Sequence, residues 1–319
     1  MKMIKKIILL ILFLSLYGCA ITSSQKRAVE SFGSAAESLG VIISSELPTL
    51  RTETISMNMV SLVMKGAVQP DNLDSSFNNY TIAVRTQAAN VLVNYGKLLL
   101  SLVNDDQTER IKKNSEELFS NISRFNTSAA NIDFDQLGDK YSRFTGGRSF
   151  FIPKFDTTAF LAVNQSIQGL VGGIFQKLML FYYHYKKVKY LKKIVHTYHH
   201  EINKICFLLM NDFSINGKGL VRDYKNTIDI LENSVSGIRF VNDCCKRKNA
   251  VKGYYLILKN EARLNAVAKN VEPAIVSLID ANDTLARYLE NKKLSDLSDI
   301  KSLTISIKTL SESIKTISK

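Results

Sequence analysis

The chain has 319 residues, of which 45% are hydrophobic and 22% are charged, and this composition is ordinary for a globular protein. Its formal net charge of +13 favours anionic partners, although a lysine-rich solvated surface would give the same number. Only 15 glycines and 4 prolines interrupt the chain, too few for a protein of many short strands joined by turns. The composition therefore favours long helices.

The first residues carry the pattern of an export signal. Lys2, Lys5 and Lys6 form a basic region, and residues 7–16 form an apolar segment. Roughly ten residues are too few to span a hydrocarbon core of ~30 Å, which needs about 20 residues as a helix. We therefore predict that residues 1–18 are a cleaved signal peptide rather than a permanent anchor helix.

The signal ends in Leu16-Tyr17-Gly18-Cys19, which resembles the lipobox of bacterial lipoproteins: an aliphatic, a variable and a small residue, then Cys. The resemblance implies cleavage after Gly18, a diacylglyceryl group on the Cys19 thiol and a further acyl chain, such as palmitate, on its amine. Two or three acyl chains would give stable anchoring. Ala20, where an Asp resembles the inner-membrane retention signal, implies a lipid-anchored outer-membrane protein that faces the periplasm or the cell surface.

Apolar residues at steps of three and four predict helices through most of the body, taken as residues 26–319 after a lipidated tether over residues 19–25. Pro48 and Pro273 are expected to kink or interrupt these helices. The fold class predicted is all-α, an elongated antiparallel bundle of about six or seven long helices. The clearest seam spans four heptads: Phe77, Thr81, Val84, Ala88, Val91, Tyr95, Leu98 and Leu102.

Residues 157–176 contain no charged side chain, and aromatic residues continue the segment to Tyr185. One interpretation is a buried central helix, whose glycines let neighbouring helices approach closely. The alternative is membrane insertion, as in helical pore-forming toxins, which this pattern of long helices and one apolar segment broadly resembles. Asn and Gln side chains in the segment favour the buried helix.

A basic run with the sequence KKVKYLKK follows at residues 186–193. Lysines with neighbouring aromatic rings could contact anionic headgroups or other anions, with the rings at the membrane interface. The export signal argues against nucleic acid as the target, and the solvated end of a long helix remains the other interpretation. The candidate contact residues are Lys186, Lys187, Lys189, Tyr190, Lys192 and Lys193.

His196 and His200 share a helix face and are weak candidates for metal ligands. A zinc-protease HExxH motif starting at His200 would need histidine at position 204, where Lys204 stands. The sequence contains no nucleophile elbow, P-loop or dinucleotide-binding fingerprint. We therefore expect a protein that is not an enzyme, with no catalytic residues, no metal, no cofactor and no small-molecule substrate.

Three cysteines lie in the body: Cys206, Cys244 and Cys245. An oxidising compartment would permit a disulfide. A bond between Cys206 and Cys244 would need the chain to fold back, and the adjacent pair could bond only with strain. An odd number leaves at least one thiol free or intermolecular.

Together these features predict a membrane-anchored envelope lipoprotein whose helical body is a binding or scaffolding module. Its partners would be the membrane, through the lipid on Cys19, and a second protein or another copy of itself. The alternative is a membrane-perturbing protein that uses residues 157–185.

Overall fold

A computed structural model describes residues 22–66, 73–104, 108–134, 179–215, 217–236, 243–291 and 298–317. Every regular element in these ranges is an α-helix, and this confirms the predicted all-α bundle. In chain order the helices are α1 (Ser23–Lys65), α2 (Asn79–Asn104), α3 (Thr108–Ser128), α4 (Met179–Phe213), α5 (Leu220–Ser236), α6 (Cys244–Asn291) and α7 (Ser298–Ile317).

The first helix begins three residues before the boundary predicted at Lys26. Thr22 accepts a hydrogen bond from the backbone N–H of Gln25, and the Gln25 side chain accepts one from the Thr22 N–H, each at 3.1 Å. This capping box satisfies two backbone donors that have no partner within the helix. The segment predicted as a tether to residue 25 is therefore helical from Ser23.

Two long helices give the bundle its length. Helix α1 has 43 residues and α6 has 48, or about 64 Å and 72 Å at 1.5 Å per residue. Of the predicted kink or interruption at Pro48 and Pro273, the interruption was wrong, because both prolines lie inside continuous helices. A proline costs about 3 kcal/mol in a helix. The buried neighbours Leu47, Leu50 and Ile275 offset this, since each apolar side chain gains roughly 1.5–3 kcal/mol on burial.

Helices α1 and α2 pack antiparallel and very closely. A Cβ atom on Gly96 would lie 2.4 Å from the carbonyl oxygen of Gly33, and one on Gly40 would lie 2.5 Å from that of Ala89. Glycine is thus required at these crossings, because any side chain would meet backbone. The predicted heptad seam of α2 is buried in this interface and the core behind it, except Thr81, which is partly exposed.

The direction of each helix follows from contacts near its ends. Tyr198 packs on Tyr95, and Asp212 pairs with Arg85, so α4 is antiparallel to α2 and therefore parallel to α1. Gly253 lies beside Val60, and Arg263 pairs with Glu46, so α6 is antiparallel to α1.

The bundle consequently has two different ends. Helices α2, α3, α4 and α7 pack around the N-terminal half of α1 and the C-terminal half of α6, which we call the wide end. At the other end, α5 and the N-terminal half of α6 pack on the C-terminal half of α1. Within the described ranges this narrow end has three helices, and fewer neighbours cover their outer faces.

Candidate membrane-proximal site

The start of the body and the lysine run lie at the same end of the bundle. Tyr95 contacts Phe32 of α1 with ring centroids 6.0 Å apart and Tyr198 of α4 with centroids 6.2 Å apart. Because α1 and α4 run parallel, moving nine residues back from these contacts reaches Ser23 on one helix and Lys189 on the other. Both points lie at the wide end, and α4 continues ten residues beyond Lys189, to Met179.

The described lysines of this run are partly or fully exposed. Lys189 is exposed, Lys192 and Lys193 are half-buried, and Tyr190 packs on the hydrophobic core. Lys186 and Lys187 belong to α4, but their side chains lie outside the described residues. The run thus combines an anchored aromatic ring with ammonium groups that reach solvent.

A cavity of about 260 Å³ opens beside these lysines between α4 and α6. Its rim carries cationic groups next to apolar side chains, which is the combination that an anionic lipid headgroup with part of its chain would meet. Glu290 also lines the cavity, and its carboxylate would oppose the binding of a strongly charged anion. The lining residues are Lys192, Lys193, Val195, His196, Ala286, Leu289 and Glu290.

The histidines do not form a metal site with other ligands. His196 and His200 are both exposed, and no group of three or more His, Cys, Asp or Glu side chains in the described ranges could hold a metal ion. Partial burial, followed by the charges of His199 and His196, lowers the pKa of His200. This favours the neutral ring, but no third ligand stands beside it among the residues that the structure describes.

The histidine between them, His199, takes part in a polar network that the sequence did not indicate. Its Nε2 lies 2.6 Å from Asp283 Oδ1, which also accepts a hydrogen bond from Asn203 at 3.1 Å. Asn282 donates to the His199 carbonyl oxygen at 3.2 Å and to Asn203 Oδ1 at 3.0 Å. Burial alone would raise the pKa of Asp283, but the hydrogen bonds from His199 and Asn203 outweigh it and lower the pKa.

A second network is buried where α1, α5 and α6 meet. Arg263 Nη1 lies 2.6 Å from Glu46 Oε2, and its Nε lies 3.1 Å from Glu53 Oε2. Tyr224 donates to Glu53 at 2.6 Å, and Lys259 pairs with the same carboxylate at 3.1 Å. Burial, then the charge of Glu53, raises the pKa of Tyr224. With Glu46, Glu53 and Arg263 at most 7% exposed, this network joins helices and offers no access to a substrate.

The three thiols of the body are all free. Cys206 is buried, whereas Cys244 and Cys245 are exposed at the start of α6. Burial raises the pKa of the Cys206 thiol. The bond considered between Cys206 and Cys244 is not formed, because α4 holds Cys206 in the core at a distance from the narrow end.

The uncharged segment at residues 157–176 lies outside the described residues, and of its continuation to Tyr185 only the backbone of residues 179–185 is described. Among the helices that the structure describes, none combines the length and the apolar character needed to cross a bilayer.

Comparison of the chain with protein families, with curated proteins and with solved structures finds no match. Functional conclusions therefore rest on the residues and geometry of this chain alone.

Proposed function

We propose that this protein is a lipoprotein of the outer membrane, anchored through Cys19, and that its helical body is a binding or scaffolding module. The observation that carries the proposal is the position of α1. Its capped start at Ser23 follows Cys19 by four residues and lies at the same end as the exposed Lys189. The lipid and the lysine run would then meet the same membrane surface.

The short connection strengthens this arrangement. Three residues, Ala20 to Thr22, separate Cys19 from α1 and span at most about 10 Å when extended. The wide end is then held against the headgroups, where each lysine near an anionic surface contributes about 1 kcal/mol. The remaining body, about 65 Å long, extends from the anchor as a rigid platform for a partner.

The anchor is tested by fractionating cells that express the full chain and measuring the mass of the mature protein. We expect the wild-type protein in the membrane fraction, with a mass increase equal to its acyl chains. Cys19→Ser removes both, whereas Cys245→Ser, which changes an exposed cysteine in the body, removes neither. Unmodified Cys19 in a wild-type protein recovered from the soluble fraction contradicts the proposal.

The binding role is tested separately by crosslinking intact cells and capturing the lipidated protein. A protein that is captured by the wild type and lost with Cys19→Ser identifies the partner and supports an anchored module. If the wild type and Cys19→Ser capture the same proteins, anchoring does not contribute to binding.

A further inference from the structure

The narrow end exposes a continuous apolar stripe on α6. Val251 is 70% exposed, Tyr254 42%, Tyr255 64% and Leu258 68%. Steps of three and four residues place these side chains on one face of the helix. Single exposed apolar residues are common on soluble proteins, whereas a contiguous set marks an interaction surface. We call these four residues the outer stripe.

The outer stripe points away from the rest of the bundle. Gly253, on the opposite face of α6, packs so closely that a Cβ atom there would lie 2.6 Å from Val235 Cγ2 of α5. The same Cβ would lie 3.6 Å from Val60 Cγ1 of α1. The two neighbours of α6 thus cover its inner face, and the outer stripe forms a convex ridge.

The ridge is rich in positive charge, and one exposed carboxylate, Glu261, follows Leu258 by three residues. Residues 244–260 contain five cations and no carboxylate. Lys259 pairs with Glu53, but within the described ranges the other four, all exposed, form no ion pair. Asp243, which precedes the helix, accepts a hydrogen bond from the Cys245 N–H. The four free cations are Lys246, Arg247, Lys248 and Lys252.

Charge decides between the possible occupants of this ridge. A second copy would bring the same cations together, and such like-charge contacts oppose association. An anionic bilayer offers the complementary charge, and its fluid boundary accommodates a convex apolar ridge. There Val251 and Leu258 would enter the boundary between headgroups and acyl chains, the tyrosines would lie at the interface, and the lysines would reach lipid phosphates.

We propose that the outer stripe and its four cations bind an anionic lipid bilayer. This contact lies at the end opposite the Cys19 anchor and does not depend on it. It can therefore be measured with a chain that begins at Ala20, which keeps the whole described body because α1 begins at Ser23.

The first experiment is sedimentation of this protein with vesicles of phosphatidylcholine alone or mixed with phosphatidylglycerol. We expect binding only to the anionic vesicles and loss of binding at high salt. The chain contains no tryptophan, so Tyr255→Trp supplies a single fluorophore whose emission should shift to the blue when anionic vesicles are added. Ile305→Trp, at an exposed position of α7, should show no shift.

Two pairs of substitutions separate the outer stripe from a general charge effect. Val251→Glu with Leu258→Glu should weaken binding roughly 100-fold. Ile230→Glu with Ile305→Glu makes the same charge change at exposed apolar positions of α5 and α7. This control pair should weaken vesicle binding much less. Lys248→Gln with Lys252→Gln should weaken binding about 30-fold. Circular dichroism checks that each variant is folded.

Three results overturn the proposal. Equal binding of the wild-type chain to vesicles of phosphatidylcholine alone shows that the ridge does not recognise anionic lipid. An equal loss of vesicle binding in the two double glutamate variants shows that net charge, and not the outer stripe, causes the effect. A dimer in sedimentation equilibrium that only the Val251 and Leu258 pair dissociates identifies a second copy as the occupant. None of these results bears on the lipid at Cys19, which is tested by cell fractionation.

Discussion

The buried charge network depends on Arg263, because among the described residues of α6 it alone contacts both Glu46 and Glu53, at 3.1 Å or less. Arg263→Met should lower the free energy of unfolding by about 3–5 kcal/mol, since it leaves two buried carboxylates without their main partner. Urea unfolding measures the loss. Arg287→Met, at a more exposed arginine on the same helix, should cost less than about 1 kcal/mol. Equal losses would show that the network contributes nothing specific.

Asp283 should give the stability of the protein a defined dependence on acid pH. Its pKa is lower in the folded protein than in the unfolded chain, so its bonds with His199 and Asn203 stabilise the fold above the ordinary aspartate pKa of ~3.9. This contribution is lost as the pH falls through the folded pKa. We expect Asp283→Asn to be less stable than the wild type at neutral pH, with a difference that shrinks in acid. A pH-independent difference in urea midpoint would contradict this.

At the level of single residues, the sequence indicated only part of the candidate site. The exposed lysines of α4 follow from a local run, so Lys189 could be found without a structure. The partners of His199 could not, because Asp283 lies 84 residues away and only the packing of α4 on α6 brings them together. The outer stripe was missed for a related reason: its spacing is that of any amphipathic helix, and only the contacts of Gly253 show which face is outside.

Among the helices, the α1–α2 pair depends most on the absence of side chains. Gly96→Ala should destabilise the protein by several kcal/mol, because its Cβ would meet the Gly33 carbonyl oxygen of the facing backbone. In an isolated helix the same change would stabilise by about 1 kcal/mol. Gly253→Ala provides the comparison, since its Cβ meets the end of a valine side chain, which can shift. Thermal unfolding that ranks Gly253→Ala as the more damaging change would contradict the packing described.

Helix periodicity predicted the elements better than their ends. The heptads of α2 were predicted because burial repeats every seven residues whatever the neighbours are. The ends of α1 and the continuity of α1 and α6 were not, since proline weakens a helix locally while the packing that compensates is distant in sequence. Leu47 and Ile275 are buried by other helices, and the local pattern does not show that this packing outweighs the cost of a neighbouring proline.

For the whole molecule, the opposite ends should be well separated. A label on Cys244 and one on Ser23→Cys, with Cys206 and Cys245 replaced, should be about 60–70 Å apart, since α1 and α6 run antiparallel along the bundle. The exposed Val63, at the narrow end of α1, provides the short control: Val63→Cys should lie within about 25 Å of Cys244. Fluorescence energy transfer measures both, and similar transfer for the two pairs would rule out this arrangement.

The class and elongation of the molecule could be predicted from its sequence, because sparse turns and long heptads leave few other folds. The difference between the two ends could not. It arises because α5 is only 17 residues long and covers one side of α6, which leaves the outer stripe exposed.

The length of the bundle sets how strongly the outer stripe must bind. Under the proposed anchor at Cys19, a body about 65 Å long that is fixed to a bilayer by one end would keep its far end within a hemisphere of that radius. One molecule in such a volume corresponds to a local concentration of a few millimolar. A contact too weak to hold the free protein at micromolar concentration would then be substantially occupied in the anchored one, and small changes in anionic lipid content would switch the body between lying along the membrane and standing away from it.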